Sequence, residues 1–196
     1  SSSKAYWIVY VRGLCRMSEE RKLPNILITG TPGTGKTTTA ERIVEALPGF
    51  KHVNVGDLVK TKDLHGGRHE DEELDCFVLD EDKVCDELED QMSGGGNVVD
   101  FHTCDFFPER WFDLVVVLRA NNEILYPRLE KRGYSQKKVQ ENVECEIMCV
   151  VAEEARESYR EEIIWELQSN TLGDMEGAVA KIAHQVAQWT GITPNL

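Results

Sequence analysis

Short apolar runs alternate along this chain with longer stretches in which apolar residues return every three or four positions. Asn25-Ile26-Leu27-Ile28-Thr29 predicts a short buried strand, and Ala40, Ile43, Val44 and Leu47 then fall at i, i+3, i+4 and i+7, one face of a helix that starts near Thr38. Pro48-Gly49 ends that run, and His52-Val53-Asn54-Val55 predicts a second strand. Asp80 predicts the N-cap of a helix with Val84, Cys85, Leu88 and Met92 on one face, stopped by Ser93-Gly94-Gly95-Gly96. Residues 97–101 and 114–118 predict the third and fourth strands, and their continuous apolar character suits parallel strands covered on both faces. A helix over 122–132 turns Leu125 and Leu129 inward and breaks at Arg132-Gly133-Tyr134-Ser135. Val139, Val143, Ile147, Val150 and Val151 predict one long amphipathic helix to about Tyr159. Residues 163–167 predict a fifth strand, and the last helix carries Val179, Ile182, Val186 and Trp189 before Gly191 and Pro194. Strand and helix alternate throughout, which predicts an α/β fold of three layers, a five-stranded parallel sheet flanked by helices.

Two stretches fall outside that rhythm. Residues 59–76 turn polar, with Lys60, Lys62, His65, Gly66, Gly67, Arg68, His69 and an acidic run, and read as a charged surface excursion. His65, His69 and Cys76 are metal-ligand types, but Gly66-Gly67 defeats any helix that would align them. Residues 1–22 read as a poorly ordered N-terminal extension: residues 5–11 are too short to span a membrane, Lys4, Arg12 and Arg16 resemble a transit peptide, and Met17 would make a natural start after an artefact of cloning or upstream translation. The domain is expected over 23–190, with a tail over 191–196.

The phosphate chemistry concentrates in Gly30-Thr31-Pro32-Gly33-Thr34-Gly35-Lys36-Thr37, which satisfies G-x-x-x-x-G-K-[ST] between a strand and a helix. Glycines let backbone N–H groups converge on phosphate oxygens, and the new helix adds its positive N-terminus. Lys36 is expected on the β- and γ-phosphates and the Thr37 hydroxyl on Mg²⁺. Such a site needs an acid at the end of a neighbouring strand; Asp100, after Val98-Val99, is the candidate. His102 is suited either to proton transfer and phosphate contact or to a purely structural role. Arg119, Arg128 and Arg132 gather after the fourth strand, and Arg132, at the Gly133 break, is the candidate for a lid that clamps the triphosphate and excludes water.

Overall charge refines the picture. The net charge of −13 opposes direct nucleic-acid binding, which depends on basic residues neutralising phosphates, and suits a basic protein partner or solubility. Six cysteines without a C-x-x-C pair read as reduced thiols of an intracellular protein, and Cys145 and Cys149 as packing residues rather than metal ligands.

Several stretches together carry a resemblance. Thr29 to Thr38, Asn54-Val55-Gly56-Asp57-Leu58, Val99-Asp100-Phe101-His102-Thr103-Cys104-Asp105-Phe106-Phe107-Pro108-Glu109-Arg110-Trp111-Phe112, residues 128–134 and Cys145-Glu146-Ile147 resemble the adenylate kinase isoenzyme 6 family, nuclear adenylate kinases and ATPases also described as coilin-interacting and ribosome-assembly factors. The resemblance covers about residues 23–190. It implies a nucleoside monophosphate kinase fold with a monophosphate-binding excursion near 53–76 and a small lid near 131–141. It implies nucleotide binding by Gly30, Gly33, Gly35, Lys36, Thr37, Thr38 and Arg132, a Walker B-like element of Asp100 and His102, and Asn170 and Thr171 over the adenine. It implies a monophosphate site near Asn54, Gly56, Asp57 and Lys60. Catalysis would fall to Lys36, Asp100, His102 and Arg132. It further implies the reaction of MgATP with AMP, an ATPase activity, a basic small-subunit ribosomal protein as partner, and residence in nucleus and cytoplasm; a monomer is expected. Two departures from larger adenylate kinases stand out. Lys60 takes the place of a monophosphate-binding arginine, and Phe101-His102-Thr103-Cys104 replaces Gly-Phe-Pro-Arg. A lysine is a point charge and cannot bind a phosphate bidentately. An assembly factor with weak kinase activity and a small-metabolite kinase of shikimate type remain as alternatives.

Overall fold

The computed structural model describes residues 21–68 and 77–196. Five parallel strands form one sheet in the order β2-β5-β1-β6-β7. These are β1 (Ile26–Thr29), β2 (Lys51–Asn54), β5 (Asn97–Asp100), β6 (Leu114–Arg119) and β7 (Ile164–Gln168). A separate antiparallel pair is formed by β3 (His65–Arg68), inside the excursion, and β4 (Phe77–Leu79), just after it. The helices are α1 (Lys36–Ala46), α2 (Val55–Thr61), α3 (Glu81–Gly94), α4 (Asn122–Lys131), α5 (Gln136–Ile147), α6 (Val150–Ser158) and α7 (Leu172–Thr190). No helix among the described residues is long and apolar enough to cross a membrane.

Strand side chains alternate between faces, so each buried strand feeds two cores. Ile26, Ile28, Val98, Leu114, Val116 and Leu118 face one side and pack against α1 and α7 through Ala40, Ile43, Val179 and Ile182. Leu27, Val99, Val115 and Val117 face the other, with Val84, Leu88 and Met92 of α3 and Val151, Ala152 and Ala155 of α6. The parallel sheet with a helical layer on each face therefore follows from two-sided burial. A third, smaller cluster joins Leu125 and Leu129 of α4 to Val139 of α5. It lies apart from both main cores, so α4 and α5 share a small core of their own.

Five expectations need correction. Arg21 belongs to the fold: it is buried, donates to the Trp111 carbonyl at 2.8 Å and pairs with Asp113 at 3.2 Å. Residues 1–20 lie outside the described residues. The second strand ends at Asn54, because the Asn54 side chain accepts from Asp57 N and starts α2 at Val55. The excursion contains the end of α2 and the strand β3; His69 and Cys76 lie outside the described residues. The long helix over 136–159 is two helices. Cys149 adopts φ 57°, a left-handed joint between α5 and α6, and Ile147 and Val150, 56% and 36% exposed, leave the buried face that their spacing predicted. The break lets the end of α5 turn toward the phosphate loop while Val151, Ala152 and Ala155 face the sheet. Beyond α7, Asn195 N donates to the Ala46 carbonyl at 2.8 Å and Ile192 packs on the core shared by α1 and α7, so the expected tail is attached to the domain.

Candidate nucleotide-phosphate site

In an open parallel sheet, ligands gather at the carboxyl ends of the strands, and here β1, β5 and β2 deliver the chemistry side by side. β1 runs into residues 30–35 and then α1. Gly30 has φ 141°, and a Cβ there would lie 2.5 Å from the Leu118 carbonyl oxygen; Gly33 has φ 95°, and its Cβ would meet Leu125 Cδ1 at 2.9 Å. Both positions admit only glycine without rebuilding the loop. Thr34 closes the loop on itself, its N and Oγ1 donating to the Thr31 carbonyl at 3.2 and 2.9 Å. The first turn of α1 contains no acidic residue, so nothing offsets its N-terminal dipole. Lys36 Nζ donates to the carbonyls of Gly30 and Thr31 at 2.7 and 3.1 Å. Burial among the loop atoms pulls its pKa down to about 7; the Asp100 charge acts against that fall and the Arg132 charge adds to it. A lysine held this way gains most from an arriving anion.

Asp100 ends β5 beside β1, in register with Ile28 and with Asn54 of β2. Its carboxylate is buried, and Oδ1 has no hydrogen-bond partner among the described residues. Asn54 Nδ2 stands 3.4 Å from both Thr37 Oγ1 and Asp100 Oδ2, so it bridges the phosphate-loop hydroxyl and the strand acid. Asn54 thus belongs to the seam between these two elements, while Gly56 and Asp57 form the first turn of α2 and Lys60 is exposed on its last turn. Thr37 and Thr38 are exposed on the first turn of α1.

His102 follows Asp100 on the wall of this cleft, its ring 4.3 Å from that of Phe101. Its surface is exposed, but the crowding of the cleft wall, and then the charges of Lys36 and Lys138, lower its pKa to about 4. The exposed ring argues for a smaller fall than full burial would produce, and either way the imidazole is neutral at pH 7.

The three arginines separate. Arg132 caps α4, is exposed, and is close enough for its charge to act on Lys36. Arg128 instead donates to the carbonyls of Ser169 and Asn170 at 2.8 Å each and reaches the Gly33 carbonyl at 3.4 Å. It locks the segment after β7 against the phosphate loop, and Ser169 Oγ adds a bond to the Thr34 carbonyl at 2.6 Å. Asn170 and Thr171 are therefore held beside the loop, with Asn170 Oδ1 accepting from Asn121 N and Thr171 starting α7 in a capping box with Asp174. Arg119 pairs with Glu146 at 2.7 Å and is committed to structure.

Two site residues escape the sequence reading. His52, two positions before Asn54 and so on the same face of β2, brings Nε2 to 3.4 Å from Asp100 Oδ1. Glu146 is buried on α5; it lies in the matched stretch 145–147, which by itself gives it no role, and its local signal is an acid seven residues after Val139 on an otherwise apolar face.

Comparison with known proteins agrees with this geometry. A family model described as an AAA domain matches residues 26–149. A protein of Dictyostelium discoideum called adenylate kinase isoenzyme 6 homolog is 53% identical over 88% of this chain and 97% of its own length. A protein of Saccharomyces cerevisiae called adenylate kinase isoenzyme 6 homolog FAP7 is 44% identical over 91% of this chain and 90% of its own. Among solved structures, shikimate kinase from Acinetobacter baumannii in complex with shikimate superposes with a TM-score of 0.60 at 20% identity, covering 85% of this chain and 94% of that one. A gluconokinase from Sinorhizobium meliloti 1021 superposes with a TM-score of 0.52 at 16% identity, covering 86% and 98%. At those identities the solved structures establish a shared fold and nothing about the reaction or its acceptor. The identities to the curated relatives are of a different order: the chain belongs to the adenylate kinase isoenzyme 6 family.

Proposed function

We propose that this chain transfers the γ-phosphoryl group of ATP to AMP, giving two ADP, and that it also hydrolyses ATP. The observation that carries the proposal is the seam at the strand ends, where Lys36 and Thr37 of the phosphate loop stand against Asp100 of the neighbouring strand, bridged by Asn54. Phosphoryl transfer asks a protein chiefly for positioning and positive charge, and each residue has a part in that. Lys36 exchanges the Gly30 and Thr31 carbonyls for phosphate oxygens and regains its proton as it does so. The loop amides and the α1 N-terminus orient the β-phosphate. Arg132, on the α4–α5 unit with its own small core, swings in with the lid and places a guanidinium on the transferring group. Arg128 keeps the Asn170 segment in place as the cover of the adenine.

The Thr37 hydroxyl and the Asp100 carboxylate are hard oxygen donors suited to Mg²⁺, and the buried Asp100 Oδ1, which makes no hydrogen bond among the described residues and has only His52 Nε2 nearby at 3.4 Å, fits its ligand shell. When bound with ATP, that ion would neutralise charge on the β- and γ-oxygens. The acceptor end is less strongly marked: Asp57 and Lys60 lie on α2, exposed, and Lys60 offers a single point charge. A broader monophosphate range or a slower transfer than in larger adenylate kinases is the expected consequence.

A second reading is favoured by His102. It stands where larger adenylate kinases carry an acceptor-binding stretch, it is neutral at pH 7, and it faces the cleft beside Lys36. A neutral imidazole there can hold a water for attack on the γ-phosphate. This supports hydrolysis that releases a bound partner, for which a basic protein of the small ribosomal subunit, in nucleus and cytoplasm, suits the net charge of −13. Turnover of MgATP with each of the four nucleoside monophosphates, and with no acceptor, tests both readings. AMP-dependent ADP formation supports the kinase, His102-dependent ADP formation without acceptor supports the hydrolase, and phosphorylation of a non-nucleotide acceptor such as shikimate would overturn both.

A further inference from the structure

We infer that Glu146 is a positioning residue for the phosphate loop and the pivot of the lid helix α5. Its carboxylate is 4% exposed and accepts three bonds from two segments: Thr31 Oγ1 of the phosphate loop at 2.5 Å, and Arg119 Nε at 2.7 Å and Ala120 N at 3.0 Å at the end of β6. The Glu146 carbonyl takes a fourth bond from Arg119 Nη2 at 2.9 Å. A buried carboxylate with this many donors is held in one place. What it holds is the residue through which the phosphate loop closes. The Thr31 carbonyl accepts from Thr34 N, from Thr34 Oγ1 and from Lys36 Nζ. Fixing the Thr31 side chain therefore fixes the carbonyl on which Lys36 rests, and the Glu146 charge itself reaches Lys36.

The placement of Glu146 on α5 adds the mechanical half. α5 is bracketed by two left-handed joints, Gly133 at φ 75° before it and Cys149 at φ 57° after it. Apart from Glu146, its buried side chain is Val139, which packs in the small cluster with α4. The far end, at Ser135 and Gln136, is exposed beside Arg132. Glu146 thus pins the C-terminal end of α5 to the phosphate loop, while the N-terminal end follows the Gly133 joint beside Arg132, so the loop and lid share one fixed point. The inference concerns coupling between two parts of the proposed nucleotide site and rests on that reading for its activity readout.

The test uses Thr31→Val, which deletes the hydroxyl at nearly constant volume, Thr31→Ser, which restores it, Glu146→Gln, and the Thr31→Val/Glu146→Gln double variant, each checked for native circular dichroism. Binding of a fluorescent N-methylanthraniloyl ADP with Mg²⁺ and turnover of MgATP with AMP are measured, together with hydrogen exchange at the Thr34 amide in nucleotide-free protein. The expected result is that Thr31→Val weakens analogue binding and kcat/KM for ATP about tenfold, the size of one hydrogen bond to a charged acceptor. Thr34 exchange speeds by a similar factor, Thr31→Ser recovers most of each loss, and the double variant is no worse than Glu146→Gln alone. Thr31→Val within twofold of wild type in exchange and binding overturns the inference; so does Thr31→Ser as impaired as Thr31→Val, or full additivity in the double variant. Wild-type protein that binds the analogue without AMP-dependent turnover overturns the kinase reading alone, and the exchange comparison still decides Glu146.

Discussion

Arg128 offers the sharpest separation between a general basic surface and a built site. Truncation in Arg128→Ala removes two 2.8 Å bonds, to the carbonyls of Ser169 and Asn170, and the 3.4 Å reach to Gly33. Bonds from a charged donor are worth roughly 1.5–3 kcal/mol each when sheltered. These are half-buried, and water can replace part of them, so about 2 kcal/mol in total is the expected cost. For a chain of this size that lowers Tm by roughly 4–8 °C. Ser169 Oγ still holds the Thr34 carbonyl, so the segment loosens without detaching. If the segment covers the adenine, bound nucleotide must re-order it, and the same 2 kcal/mol appears as about thirtyfold weaker binding. Arg128→Lys can satisfy one carbonyl but not both, and is expected between wild type and Arg128→Ala. Titration of the fluorescent ADP analogue, with Tm measured on the same samples, reads both effects. A folded Arg128→Ala protein that binds within twofold of wild type would refute the lock.

Other expectations follow from the same geometry. With the Lys36 pKa at about 7, the free protein at pH 8 holds Lys36 mostly neutral and a bound phosphate restores its charge; calorimetry of MgADP binding in buffers of different ionisation enthalpy should register proton uptake at pH 8, and no uptake would contradict the buried resting state. Asp100→Asn should lose Mg²⁺-dependent turnover by about a hundredfold or more while analogue binding without Mg²⁺ changes little; undiminished turnover would remove Asp100 from the site. Arg21→Met removes the cation paired with the buried Asp113 carboxylate, which also accepts from Asn25 N at 2.9 Å, and urea unfolding should register a loss of about 3 kcal/mol; a loss under 1 kcal/mol would put Arg21 back outside the fold.

Much of this architecture was legible because its causes are local. The strands of the sheet are apolar runs buried on both faces, and the phosphate loop announces itself by glycines whose backbone geometry admits nothing larger. Asp100 was legible for the same reason, as an acid ending an apolar strand. The errors arise where tertiary contacts override the local pattern. Ile147 and Val150 continue the helical spacing of 139–151, but Glu146 ties the end of α5 to Thr31 and the chain breaks at Cys149. Arg21 has nothing in its neighbourhood to mark it as buried, because its partner Asp113 is 92 residues away. Arg128 and Arg132 share a helix spacing, and only the fold separates the one that bonds main-chain carbonyls from the one left at the surface beside Lys36. His52 was passed over because its role depends on β2 lying next to β5, a pairing with a long crossover between them.

The account stands on phosphoryl transfer to a nucleoside monophosphate at the seam between Lys36 and Asp100. The most direct measurement mixes purified protein with MgATP and AMP and follows all three nucleotides by chromatography. The account predicts two ADP formed for each AMP consumed, abolished in Lys36→Ala. ADP formed at an unchanged rate without AMP, with AMP left intact when present, would contradict it.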